Sequence, residues 1–100
     1  MSTVPLKLLT IIAERVLLDR LLRELRALGA KGYTISEVVG EGSRGVRASE
    51  WEGRNVKIEL ILSPEVAERA LAHLSELYLP HFAVVAYVSS VEVMRGEKYV

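Results

Sequence analysis

The residues best suited to chemistry lie between Gly40 and Arg47, read as Gly40-Glu41-Gly42-Ser43-Arg44-Gly45-Val46-Arg47. Three glycines expose backbone N–H groups, Ser43 adds a hydroxyl, and Arg44 and Arg47 add guanidinium groups that can fork onto oxyanions. Such a set suits a phosphate. The first six residues also match G-x-G-x-x-G, but a dinucleotide fingerprint must open a helix after the first strand of a βαβ unit. Here the string follows a later strand and leads into Val46-Arg47-Ala48-Ser49, which carries no helical stripe. Two readings remain open on the chemistry alone: an anion cradle, or a mobile hairpin loop with incidental glycines.

Other reactive side chains offer less. Ser43 has no histidine or lysine spaced to act as a base, so nucleophilic catalysis has no support. His73 and His81 lack a third ligand of the kind a zinc site needs, and both are expected in surface roles. Glu37 and Glu59 alternate with apolar strand residues and read as solvent-facing, with no acid/base pair. Trp51, the single tryptophan, sits between Glu50 and Glu52. It either anchors a partner or, as the bulk of a large aromatic favours, folds back onto the sheet or a neighbouring subunit.

One hundred residues, half of them apolar, fit one domain spanning 1–100. Lys plus Arg equals Asp plus Glu at 13 each, so no field exists to hold a nucleic acid by phosphate neutralisation. The absence of cysteine excludes disulfides and thiolate metal sites. The first residues lack the charged start and cleavage site of a signal peptide, and no apolar run reaches membrane-spanning length. A cytoplasmic location is expected.

The loop must be positioned by what flanks it. Leu6 to Ala13 predicts a first strand, apolar on both faces and therefore covered on both. From about Glu14 to Leu28 the leucines at 17, 18, 21, 22, 25 and 28 form one helical stripe, ended by Gly29. Tyr33 to Val39 predicts strand two and Asn55 to Leu62 strand three, with Val56, Ile58, Leu60 and Leu62 inward. Ser63-Pro64 starts a second helix, whose stripe runs through Val66, Ala67, Ala70, Leu71, Leu74, Leu77 and Tyr78. Phe82 to Val88 predicts the last strand and Val91 to Met94 a short extra one, with a loose tail from Arg95. The order β-α-β-β-α-β leads to an α+β, ferredoxin-like split βαβ sandwich. Two helices cover one sheet face only. The other needs an apolar cover, and further copies of the same sheet are the simplest.

The strings Gly29-Ala30-Lys31-Gly32-Tyr33-Thr34 and Glu37 to Arg47 resemble the segment leading into the T-loop of PII-type signalling proteins. The likeness is to their SbtB-like branch, associated with carboxysomes and bicarbonate transporters, and it extends to Ser90 to Val93. The resemblance implies a homotrimer that binds an adenine nucleotide (AMP, cyclic AMP, ADP or ATP) in clefts between subunits, without being an enzyme. It implies phosphate contacts from Arg44, Arg47, Ser43 and the Gly42 backbone, Thr34 near the adenine from the adjoining subunit, and Arg95 as a phosphate-binding arginine. It further implies that the loop 41–54 docks on a transporter or an enzyme, a transporter bringing the protein to a membrane; Trp51 is the residue of that loop suited to anchor the partner. No metal or cofactor is implied.

Departures from the PII pattern refine this. Tyr78-Leu79-Pro80-His81 stands where a T-G-x-x-G-D-G-K-like stretch would hold a triphosphate, which turns the expectation toward a mono-, di- or cyclic phosphate. No tyrosine lies between Glu41 and Arg54 to be uridylylated. The glutamine used near magnesium-bound 2-oxoglutarate and the C-terminal cysteine pair are also missing. The alternative function is an assembly module, or a binder of a small anion such as bicarbonate.

Overall fold

In the computed structural model, which describes residues 2–40 and 54–100, four strands form one antiparallel sheet in the order β2-β3-β1-β4. The strands are β1 (Val4–Glu14), β2 (Thr34–Val38), β3 (Asn55–Leu62) and β4 (Val85–Val93). Helices α1 (Leu18–Leu28) and α2 (Pro64–Leu77) are the two crossovers. This is the ferredoxin-like sandwich. Strand register sorts the side chains into two faces. Leu9, Ile11 and Ala13 pair with Leu60, Ile58 and Val56 and meet the helices, whose Leu21, Leu25, Ala67, Ala70 and Leu74 complete the core with Leu17 just ahead of α1.

Helix boundaries follow local chemistry. The side chain of Ser63 accepts a hydrogen bond from the Val66 N–H, and Pro64 occupies the first turn, where no N–H is needed. Gly29 ends α1 at φ +122°, and its N–H donates to the carbonyls of Leu25 and Arg26. A side chain there would be strained and would also press on Val66.

Several expected boundaries move. Glu14 closes β1, and Arg15–Leu17 form a 3-10 turn, so α1 starts at Leu18 rather than near Glu14. The two short final strands are one strand from Val85 to Val93, because the eleven-residue β1 offers it partners from Val4 to Ile12. Phe82 and Val84 precede that strand and pack on the core. Leu71 and Leu77 lie at the margin of the α2 stripe and remain exposed. The tail is ordered: Gly96–Tyr99 form a 3-10 turn and Gly96 is buried.

His73 is also not a plain surface residue. Its Nε2 lies 2.7 Å from Glu24 Oε1, and the Tyr78 hydroxyl donates to the same oxygen at 2.6 Å. Because an ionised carboxylate only accepts, Nε2 must carry the hydrogen. Arg20 Nε donates to Glu24 Oε2 at 3.3 Å, and its guanidinium lies 4.8 Å from the Tyr78 ring centroid. One carboxylate thus ties α1 to the end of α2.

That cluster sets a pH window for stability. Burial raises the Glu24 pKa, but hydrogen bonds from His73, Tyr78 and Arg20 more than offset it and leave the carboxyl below its ordinary value. Burial, then the hydrogen bond to Glu24 and its charge, push the Tyr78 phenol up to about 12. The Glu24 contribution is present above the unfolded carboxyl pKa of about 4.3 and is lost as pH falls through the lower folded value. The Tyr78 contribution is present below the unfolded phenol pKa of about 10 and is lost as pH rises toward the folded value. Urea midpoints measured against pH are expected to fall at both ends. In Tyr78→Phe the alkaline fall attributable to this phenol should disappear.

Candidate functional site

The segment 41–53, which carries most of the candidate residues, is flanked by two described stems that form its neck. Val38 pairs with Asn55, and the Arg15 N–H donates to the Arg54 carbonyl at 2.9 Å, which adds a rung beyond Glu14 and Asn55. Both guanidiniums turn toward Glu37. Arg15 Nη1 lies 2.7 Å from Glu37 Oε2, and Arg54 Nε lies 3.7 Å from Oε1. Glu37 is therefore partnered on both oxygens, not simply solvent-facing. All three side chains are half-exposed, so the group contributes little stability. Its role is geometric, fixing the neck to the corner where β1 turns into α1.

Gly42, Ser43, Arg44, Arg47 and Trp51 lie outside the described residues. Thr34 and Arg95 lie within them. Thr34 opens the edge strand β2, is exposed, and pairs with Glu59 on the sheet face without helices. The row continues through Thr10 to Tyr87, so Thr34, Glu59, Thr10 and Tyr87 lie side by side across the sheet. Thr10 is buried within that row. Arg95 follows β4, the opposite edge, so the two candidate residues stand at opposite margins of one chain.

The tail crosses between these margins. Arg95 takes a left-handed conformation (φ 60°, ψ 32°) that turns the chain off β4. Gly96 then sits so tightly on β1 that a Cβ would come 2.6 Å from Val4 Cβ and 3.2 Å from Leu6 Cδ1. The Tyr99 ring ends beside Gly32, and Lys31 Nζ donates to the carbonyl of Val100. Residues 95–100 are thus a strap over the helix-free face, and they bury Leu6. The residue types gave one signal for it: a glycine flanked by polar residues after a strand, easily taken for a loose end.

The strap does not cover that whole face. Val85 and Tyr87 remain about half exposed on it. Beneath β4, on the helix side, Pro5, Lys7, Pro64, Ser90 and Glu92 line an open cavity of about 290 Å³. Its lysine already donates to Ser90 Oγ at 2.8 Å. Among the described residues no three His, Asp or Glu side chains gather to hold a metal ion, and no helix is long and apolar enough to cross a membrane.

The described residues thus make a split βαβ sandwich with tied stems at the ends of β2 and β3 and a C-terminal strap across its helix-free face. The family model of nitrogen regulatory protein P-II matches residues 6–98. A PII-like signaling protein from Thermus thermophilus is 59% identical over 100% of both chains, with a TM-score of 0.88. CPII from Thiomonas intermedia, solved with ADP and bicarbonate, is 27% identical over 99% of this chain and 98% of its own, at TM-score 0.87. The same protein bound to ADP, AMP and acetate is 25% identical over 99% and 98%, at TM-score 0.84. The chain belongs to the nitrogen regulatory protein P-II family, as a PII-like signalling protein.

Proposed function

We propose that this protein senses an adenine nucleotide at a cleft between subunits of a homotrimer and reports it through the loop 41–54. The observation that supports the reading most directly is the separation of Thr34 and Arg95 onto opposite edge strands. A site that uses both is completed by a second copy, with the β2 edge of one subunit beside the β4 edge of the next. A ring closed in this head-to-tail way also gives the half-exposed Val85 and Tyr87 of the helix-free face a partner. Thr34 then faces the base. Arg95 of the neighbouring subunit, with Gly42, Ser43, Arg44 and Arg47 of the loop, meets the phosphates. The ligands of CPII, ADP with AMP or bicarbonate, support a mono- or diphosphate with a small anion as co-effector.

Binding changes the conformation of the loop, which then presents or withholds Trp51 to a transporter or an enzyme. A transporter partner would hold the otherwise cytoplasmic protein at a membrane. The nucleotide is bound and released unchanged.

Calorimetry with AMP, cyclic AMP, ADP and ATP tests this. Saturable binding is expected, and Arg44→Ala or Arg47→Ala should weaken it roughly 10- to 100-fold, the loss typical of a hydrogen bond to a charged group. Gel filtration should show the trimer intact in both variants. Absence of heat with every nucleotide would move the reading to an assembly module, and phosphate release would move it to an enzyme.

A further inference from the structure

We propose that Tyr99 is a base-stacking residue, its ring forming one wall of the adenine pocket beside Thr34. The proposal rests on the nucleotide reading above and adds to it a residue that recognises the base. Tyr99 is half-buried, and its placement is determined from both sides. The tight seat of Gly96 on Val4 and Leu6 brings the strap across the sheet, and the Lys31 ammonium holds the next residue, Val100, by its carbonyl. The ring therefore stops next to Gly32, where a Cβ would approach Tyr99 Cε1 to 3.9 Å. Glycine at 32 leaves the space beside the ring without a side chain of its own. Thr34 begins two residues further on.

The other aromatic groups of the described residues are placed elsewhere. The Tyr33 ring lies by the Arg26 guanidinium of α1, 5.1 Å from its centroid, on the helix side of the sheet and away from the face that carries Thr34. Tyr78 is fully buried and Phe82 packs on the core. Tyr87 shares the open face with Thr34, but β3 and β1 stand between them. Lys98 covers the Tyr99 ring from within the strap, at 5.5 Å, and it is an exposed ammonium that an arriving base can share or displace. An aromatic face beside an exposed hydroxyl suits a purine, since every base has a π-face to stack.

The test compares Tyr99→Phe with Tyr99→Leu by calorimetry with AMP, using the wild-type protein as reference. Both variants keep an apolar group against Gly32, but only phenylalanine keeps the stacking face. The phenylalanine variant should bind AMP within about 2-fold of wild type, and the leucine variant roughly 5- to 100-fold more weakly, the range for loss of one base–aromatic stack. Equal affinities in the leucine and phenylalanine variants would overturn the assignment while leaving nucleotide sensing intact. A wild-type protein that binds no adenylate at all would instead remove the nucleotide reading and this inference with it.

Discussion

Tyr78→Ala is expected to unfold the protein more readily than any other single truncation outside the loop, at a cost of about 3–5 kcal/mol. Tyr78 heads the fully buried side chains by volume and is 0% exposed. Its ring lies 5.9 Å from the His73 ring and 5.8 Å from Phe82, with the Arg20 guanidinium over it. Removing it opens a cavity, and it also takes from Glu24 one of three hydrogen-bond donors. The phenol alone is a smaller matter. Tyr78→Phe should cost about 1.5–3 kcal/mol, as for a hydrogen bond to a charged group. Urea denaturation of both variants separates packing from the polar tie. If the alanine variant matched the phenylalanine one, the ring would not be the centre of packing at the α2 terminus.

Gly96→Val should detach the strap, with an expected cost of about 1–3 kcal/mol for overpacking. The added Cβ would stand 2.6 Å from Val4 Cβ, a backbone-anchored atom that cannot rotate away. Carbon atoms prefer separations of about 3.5–4.0 Å. The strap must lift, Leu6 becomes exposed, and Lys31 loses its carbonyl partner. Hydrogen exchange should accelerate over residues 95–100 while the amides of β3 stay protected. Because Arg95 and Tyr99 both leave with the strap, AMP affinity should fall further than in Tyr99→Leu, beyond the roughly 5- to 100-fold range of a single lost stack. Unchanged exchange in the valine variant would mean that the tail is held by something other than the seat at Gly96.

Much of this framework is legible in the order of residues. The leucine stripe from Leu17 to Leu28, the alternation from Asn55 to Leu62 and the Ser63-Pro64 start each reflect a local period or a local hydrogen bond. The structure places each within a few residues of where the pattern does. The misplacements share one cause. Ser89 and Ser90 interrupt an apolar run, yet the ladder to β1 carries β4 straight through them. Leu71 and Leu77 belong to a helical stripe by spacing, but they lie at its margin and stay exposed. His73 and Glu37 look like surface residues because their partners, Glu24, Arg15 and Arg54, are distant in sequence.

The sequence by itself determined the element order, the sandwich it implies and the family, because each of these depends on neighbours along the chain. Only the tertiary structure decided that Thr34 and Arg95 occupy opposite edges, that Glu37 ties the loop neck, and that residues 95–100 form a strap ending at Gly32. Those facts depend on strand order and on contacts between distant segments, such as Lys31 with Val100, 69 residues apart. No local period encodes such distances, since a side chain carries the same composition signal whether its partner is water or another strand.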